Sequence, residues 1–270
     1  MRRILLVCHN IEKAKEIVAK GVQVANIMEA SITLLFIHEV ELFNFFSEEK
    51  PFVKAEVWKQ LKTLLSESGR EDAVVLVEEG DSADWVEQEL EKEQSSLVVI
   101  DYVESVTAGV VERINAPCLV LKKYQQSYTK GLLATEISKP KECYAFAQKF
   151  VENIVVYMDS SVIPIPYITS PVVDVAGEVV DVELYEEMLE QQREALNEFC
   201  KEQHLECSFD TGDDELSINI LSIASEKGVD LLILSAIDTL SQLGGAIESI
   251  LERTTVDVLV CQRGLEEAEE

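Results

Sequence analysis

The stretch LLILSAIDTLSQLGGAIESI, residues 231–250, begins as a buried strand and ends as a helix. In many α/β proteins a junction of this kind holds a phosphate group, because the first N–H groups of a helix have no partner inside the helix. Gly244 and Gly245 come at the start of the helix, where backbone amides could close around an anion, and Ser235 and Ser241 could add hydroxyl groups. The chemistry that this pattern predicts is phosphate binding.

Two carboxylates belong to the same candidate site. Asp238 follows the strand, and a carboxylate about 4 Å from a phosphate costs on the order of 1–4 kcal/mol at surface-like dielectric unless magnesium bridges the two. The second carboxylate is Glu136, which ends the strand GLLATE. The N–H groups around Gly245 and Ala246 are the expected donors. The candidate binding residues are Glu136, Ser235, Asp238, Ser241, Gly244, Gly245 and Ala246.

These residues belong to a chain whose second half repeats the first. Each half opens on an apolar stretch of strand length, RILLVCHN and GLLATEIS, and closes on another, APCLVLKK and TVDVLVCQR. Between them Gly80-Asp81 corresponds to Gly212-Asp213, and Glu112-Arg113 to Glu252-Arg253. Anchors that recur in the same order indicate two copies of one domain. The boundary falls in the polar stretch YQQSYTK, residues 124–130.

The pattern of the strands predicts the class of fold. SLVVID and VDLLILS, like the opening stretches, are apolar without alternation, which is typical of parallel strands that helices cover on both faces. The first long polar segment carries apolar residues at helical spacing, namely Ile17, Val18, Gly21, Val24, Ala25 and Met28. We therefore predict an α/β fold of two repeated doubly wound domains, each a five-stranded parallel sheet with helices on both faces.

Taken together, these features resemble the tandem form of the universal stress protein family. The resemblance rests on ILLVCHN and LLATEIS, on the Gly-Asp after the third strand, on the closing helix with Glu-Arg, and above all on NAPCLVLKK. It spans nearly the whole chain, as a first domain at 1–124 and a second at 129–263. It implies the strand order 3-2-1-4-5 in each domain and pairing through the fifth strands, here Pro117–Leu121 and Val256–Cys261. Because exposed apolar edges must be covered, we expect an intramolecular pseudo-dimer, with a homodimer of whole chains left open.

Nucleotide-binding members of that family carry G-x2-G-x9-G-[S/T] after the fourth strand and an Asp at the end of the first strand. The first domain departs from this pattern, since His9 stands in place of the Asp and Gly109 is the remnant of the loop. Its fourth strand ends in Asp101, which would repel a triphosphate. The first domain is therefore not expected to bind a nucleotide.

The second domain keeps more of the pattern. Gly244-Gly245 match the final glycine and the residue after it, and Glu136 keeps a carboxylate at the end of the first strand. Ser235 and Asp238 stand where the early glycines would be. A junction with this composition most resembles a phosphate loop that has lost its function.

We interpret the chain as a cytoplasmic stress-response binding or regulatory protein of the universal stress protein type, with degenerate nucleotide sites and no cofactor. One alternative is an ATP-binding universal stress protein that uses the second-domain site only, with magnesium, and with slow hydrolysis left open. Another is a structural partner protein that acts through the apolar loops at 42–52 and 160–181. Because no Ser-His-Asp, Cys-His, paired-carboxylate or metal-ligand constellation is apparent in the sequence, an enzyme is not expected.

Charge and composition exclude several classes of partner. The formal net charge is −28, from 51 acidic and 23 basic residues, so the surface repels nucleic acids and anionic membranes. The apolar run after Arg2-Arg3 is too short for a signal peptide, which favours a cytoplasmic protein. The six cysteines are scattered without a C-x-x-C pair, which favours reduced, buried thiols over a disulfide framework or a metal site.

Two histidines end adjacent strands on the edge where such sheets bind ligands. His9 follows the first strand and His38 ends the second. They could form a polar or metal-binding pair, or each could be a hydrogen-bonded loop histidine, which is the commoner outcome.

Overall fold

The computed structural model of the chain describes residues 2–39, 52–93, 95–163, 167–168, 179–180, 182–210, 214–236 and 241–261. In the first half strands and helices alternate, as the apolar runs and helical spacings predict. Their bounds are β1 Arg3–Cys8, α1 Ala14–Met28, β2 Ser31–His38, α2 Lys54–Glu67, β3 Val74–Glu79, α3 Ser82–Lys92, β4 Leu97–Asp101, α4 Thr107–Arg113 and β5 Cys118–Leu121.

The second half repeats this order with one addition, a short antiparallel pair of strands inside the segment 160–181. Its elements are β6 Tyr128–Thr135, α5 Lys141–Ala147, β7 Val151–Asp159, β8 Tyr167–Ile168, β9 Val179–Val180, α6 Val182–Gln203, β10 Glu206–Asp210, α7 Leu216–Lys227, β11 Leu231–Ser235, α8 Gln242–Arg253 and β12 Asp257–Cys261. Within the described part of the chain, no helix is both long enough and apolar enough to cross a membrane.

Ten strands form one sheet in the order β10-β7-β6-β11-β12-β5-β4-β1-β2-β3. Each half therefore has the strand order 3-2-1-4-5 with parallel neighbours, and the predicted fold class is confirmed. The halves meet where β5 runs antiparallel to β12, with Val120 opposite Val258 and Leu119 opposite Leu259. Because each fifth strand covers the edge of the other, the expected intramolecular pseudo-dimer is confirmed.

Two hydrophobic clusters cover the two faces of the sheet, as a doubly wound fold requires. One contains side chains of α1, α2, α5 and α6, and the other contains side chains of α3, α4, α7 and α8. The packing of α1 on β1 is especially close, because a Cβ atom at Gly21 would lie 2.2 Å from Leu6 Cδ1. Glycine at this position lets the helix approach the strand whose end carries His9.

Asp257, fully buried at the start of β12, holds the connection between the halves. Its Oδ1 accepts hydrogen bonds from the backbone N–H groups of Lys122, Lys123 and Tyr124, and its Oδ2 accepts from the N–H of Gln125 and the phenol of Tyr128. Asp230 likewise accepts from both the N–H and the hydroxyl of Thr129. These bonds explain why β6 begins at Tyr128, three residues before the apolar run GLLATEIS.

The cysteines depart in part from the expectation of reduced thiols. Cys143 on α5 is disulfide-bonded to Cys261 at the end of β12, with their Cα atoms 5.8 Å apart. The other described cysteines, Cys8, Cys118, Cys200 and Cys207, are free thiols. The expectation is wrong for the bonded pair because its members lie 118 residues apart in sequence and only the fold brings them together.

Candidate functional site

The switch point of each half lies between its first and fourth strands, because the chain continues in opposite directions from these two neighbours. Ligands of open α/β sheets bind in the crevice at the carboxyl ends of such strands. In the first half these are β1 and β4, which end beside His9 and Asp101. In the second half they are β6 and β11, which end beside Glu136 and Ser235.

Glu136 turns its carboxylate onto the start of helix α8. Its Oε1 accepts a hydrogen bond from the backbone N–H of Leu243, and its own N–H donates to the carbonyl of Ser235 at 3.4 Å. Glu136 and Ser235 are both buried, at 9% and 8% exposed. A carboxylate at a helix N-terminus is stabilised by the partial positive charge there.

The amides of Gly244 and Gly245 in the first turn of α8 also have acceptors from the chain itself. Ser241 caps the helix, its Oγ accepting from the N–H of Gly244 at 3.1 Å. The N–H of Gly245 donates to the carbonyl of Ser241 at 2.8 Å, as an ordinary helical bond. Ala246 is half-buried and packs against the core. The structure thus brings Glu136, Ser235, Ser241 and Gly244 to one edge.

Parts of the candidate site and of the predicted loops lie outside the described residues. Asp238 is one of these, as are Gly212 and Asp213. The same holds for most of the apolar loops at 42–52 and 160–181, of which Phe52, 160–163 and the strands β8 and β9 are described. A docking role for these loops therefore stays a prediction.

In the first-half site, hydrogen bonds link three buried side chains in series. His9 Nδ1 lies 2.6 Å from Asp101 Oδ1, and His9 Nε2 lies 2.8 Å from Ser82 Oγ. The backbone N–H of His9 lies 3.2 Å from each carboxylate oxygen of Asp101. Asp101 and Ser82 are each 1% exposed. His9 could have paired with His38 in a polar or metal-binding site, or have been a hydrogen-bonded loop histidine. The structure shows the hydrogen-bonded histidine.

The residues around these three side chains are also held by hydrogen bonds and ring contacts. Thr107, at the start of α4, donates from its hydroxyl to the carbonyl of Asp101 and accepts from the N–H of Val103. Burial and the charge of Asp101 both raise the pKa of the Cys8 thiol, so this neighbour of His9 stays protonated. His38 stacks on Phe52, with 4.4 Å between ring centroids. Among the described residues, no cluster of His, Cys, Asp and Glu could hold a metal ion.

Sequence reasoning missed Ser82. The absence of a Ser-His-Asp constellation was an expectation, and the structure corrects it, because Ser82, His9 and Asp101 are separated by long stretches of sequence but bonded in the fold. A signal did exist: Ser82 directly follows Gly80-Asp81, the anchor after the third strand. Helices that follow parallel strands begin at the carboxyl edge of the sheet, so a serine here belongs to the same edge as His9.

The fold is shared with solved structures of universal stress proteins. A universal stress protein from Archaeoglobus fulgidus DSM 4304 has a TM-score of 0.59 and 14% identity, over 97% of this chain and 96% of that one. A protein from Pseudomonas aeruginosa UCBPP-PA14 that carries the universal stress protein name has a TM-score of 0.62 and 17% identity, over 99% of this chain and 97% of its own. A protein of unknown function from Pseudomonas aeruginosa PAO1 has a TM-score of 0.62 and 16% identity, over 99% and 96%.

No protein-family model matches the chain, and no curated protein matches it. At identities of 14–17% the structural likeness concerns the fold. The chain has the fold of a tandem universal stress protein over nearly its whole length.

Proposed function

We propose that this chain is a stress-response binding or regulatory protein of the universal stress protein type, cytoplasmic, whose two nucleotide sites are degenerate. One observation carries the proposal: the carboxylate of Glu136 accepts the N–H of Leu243 at the start of α8. That helix terminus is where a phosphate would bind in this fold. A side chain of the protein thus takes the place of the anion.

Electrostatics support the loss of nucleotide binding in the second half. A phosphate at the start of α8 would lie within a few ångströms of the Glu136 carboxylate, and two unit charges about 4 Å apart repel by about 1 kcal/mol in water and about 4 kcal/mol at a surface-like dielectric. That range corresponds to about 5-fold to about 1000-fold in affinity. The repulsion acts in addition to the loss of the Leu243 donor.

The first half is closed in a similar way. Asp101 lies at the end of β4 with its carboxylate bonded to His9, and both side chains are buried. A triphosphate in this crevice would meet a buried negative charge and no glycine-rich loop, because α4 begins at Thr107 and takes up Gly109. We therefore expect neither half to bind a nucleotide.

One observation favours the second candidate, an ATP-binding protein that uses the second half with magnesium. A Cβ atom added at Gly245 would meet no atom within 4 Å, so packing does not explain why this exposed helical position is a glycine. Space beside a helix N-terminus is what a bound phosphate would need. In this candidate Glu136 would face the nucleotide, and removing it would weaken binding.

The variant Glu136→Ala separates the two candidates. If Glu136 replaces the anion, calorimetric titration with ATP and magnesium gives Glu136→Ala an affinity at least about tenfold higher than that of the unaltered protein, because repulsion is relieved. Glu142→Ala is the matched control, since it removes one exposed carboxylate from the first turn of α5 without touching α8. An affinity that falls in Glu136→Ala would contradict the proposal and support the second candidate.

A further inference from the structure

We infer that Ser82, His9 and Asp101 form an acyl-transfer site in which Ser82 is the nucleophile. An ionised carboxylate only accepts hydrogen bonds, so the 2.6 Å contact to Asp101 places the proton of His9 on Nδ1. The lone pair of Nε2 then faces the hydroxyl of Ser82 at 2.8 Å. Hydrolytic triads on unrelated folds are recognised by this geometry, in which a serine contacts an imidazole and the imidazole contacts a carboxylate.

The fold holds the base in one orientation. Asp101 ends β4 and accepts from both the ring and the backbone N–H of His9, which itself follows β1. Asp101 is a positioning residue in this site, since it acts on the reaction through His9. The ring of His9 is therefore fixed between two rigid strands and the first residue of α3, as general-base catalysis requires.

The same helix supplies a donor for a developing oxyanion. Ser82 is the first residue of α3, and its backbone N–H donates to Glu39 Oε1 at 2.9 Å. A carboxylate oxygen on this amide marks a position that accepts a negatively charged oxygen. Because the amide nitrogen and Oγ belong to one residue, Glu39 also lies beside the nucleophile. With Ser82 1% exposed, the structure shows the site closed, and the inferred reaction requires Glu39 to leave the amide before a substrate oxygen can take its place.

The reaction needs no oxidant and no co-reactant besides water. Ser82 Oγ attacks the carbonyl carbon of an activated carboxylic ester while His9 Nε2 takes the hydroxyl proton. The bond from the carbonyl carbon to the alkoxy oxygen breaks, the alcohol leaves with the proton from His9, and an acyl-serine remains. Water, deprotonated by His9, releases the carboxylic acid and restores Ser82. The carboxylate of Glu39 beside Ser82 favours uncharged acyl groups.

The second half offers a comparable buried serine without a base. Ser217, in the first turn of α7, is fully buried, and its hydroxyl donates to Glu215 Oε1 at 3.0 Å. Glu136 and Ser235 stand at the strand ends that correspond to His9 and Asp101. A carboxylate partner orients a serine but leaves no imidazole to take its proton, so Ser217 serves as the control.

A fluorophosphonate probe tests the site on the full-length protein, because such probes react irreversibly with activated serines. Intact mass and peptide mapping should find one adduct per chain, on Ser82, and Glu39→Ala should react at least about tenfold faster because the closing carboxylate is gone. Ser82→Ala should give no adduct, and Ser217→Ala should react like the unaltered protein. His9→Gln should react about 10²-fold to 10⁴-fold more slowly, the usual contribution of a general base.

No adduct on Ser82 in either the unaltered protein or Glu39→Ala would overturn the inference. So would an adduct whose rate does not change in His9→Gln, because the serine would then react without its base. If His9→Gln does not fold, the inference is tested by comparing the single variant Glu39→Ala with the double variant Glu39→Ala, Ser82→Ala. Labelling must then be present in the first and absent from the second.

Discussion

The phenol of Tyr128 donates a hydrogen bond to the buried carboxylate of Asp257, with 2.8 Å between Tyr128 Oη and Asp257 Oδ2. This contact joins the first strand of the second half to its last strand. It also fixes the connection from β5, because the same carboxylate accepts from successive backbone N–H groups of residues 122–125. The junction of the two halves is thus held by one side chain as well as by the β5–β12 pairing.

We expect Asp257→Asn to lower the free energy of unfolding by about 3 kcal/mol, because hydrogen bonds to a charged group contribute about 1.5–3 kcal/mol and the amide offers fewer acceptors. Asp230→Asn is the control, since Asp230 is half-buried and accepts fewer bonds; about 1 kcal/mol is expected there. Urea unfolding measures both. Equal, small losses in the two variants would show that Asp257 does not organise the junction.

Lys20 should make stability depend on pH. Burial lowers the pKa of Lys20 to about 8, against the opposing charges of Asp257 and Asp230, while its Nζ donates to the carbonyl of Gln125 and lies 3.9 Å from the ring centroid of Tyr128. Since the unfolded state holds this proton up to about pH 10.5, unfolding takes up a proton between about pH 8 and 10.5, and stability rises with pH across that window.

The variant Lys20→Met isolates this effect. The free energy of unfolding of the unaltered protein should rise relative to that of Lys20→Met by up to about 3 kcal/mol between pH 7.5 and 10.5, at 1.36 kcal/mol per pKa unit. Chemical unfolding at several pH values supplies the comparison. A constant difference across the window would mean that Lys20 titrates alike in both states.

The pairing of Cys143 with Cys261 predicts a thiol count. Protein unfolded in denaturant without reductant should react with Ellman's reagent at four cysteines, and at all six after reduction. The variant Cys143→Ala should lower stability by about 4 kcal/mol under oxidising conditions, because a loop of this length constrains the unfolded chain. Six reactive thiols before reduction would show that the bond is absent in solution.

Gly245→Ala should stabilise the protein by about 0.5–1 kcal/mol, because alanine favours the helix and its Cβ meets no atom within 4 Å. Gly109→Ala in α4 should behave alike for the same reason. Gly228→Ala is the opposite control, since Gly228 ends α7 at φ +61° and a side chain there is strained. A loss of stability in Gly245→Ala, measured by thermal unfolding, would contradict the conclusion that a side chain at this position meets open space.

The fold was predictable because its signals are local and repeated. Apolar runs such as SLVVID became buried strands, here Leu97–Asp101, because a strand covered by helices on both faces hides all four of its successive apolar residues from water. The start of β6 was less predictable, because Tyr128 joins the strand through contacts with Asp257, which is more than a hundred residues away. The disulfide depends on the same kind of long-range placement.

In the candidate sites, too, the positions that depend on local sequence were predictable, and the contacts that depend on the fold were not. Glu136, Ser241 and Gly244 were predicted to share one edge because each is adjacent to a strand end or helix start in sequence. Which of them bonds to which depends on side-chain direction, which composition does not reveal, so the contact from Glu136 to Leu243 had no sequence signal. Ser82 escaped notice since its partner His9 lies two strands away in the sheet.

Calorimetric titration of the unaltered protein with ATP in the presence of magnesium tests the central claim most directly. If Glu136 replaces the phosphate in the second half and Asp101 repels it in the first, no saturable heat should appear up to about 1 mM ATP, an affinity equivalent to about −4 kcal/mol. Saturable binding with a Kd in the micromolar range would contradict the claim, because the contact between Glu136 and Leu243 would then have to open for a nucleotide.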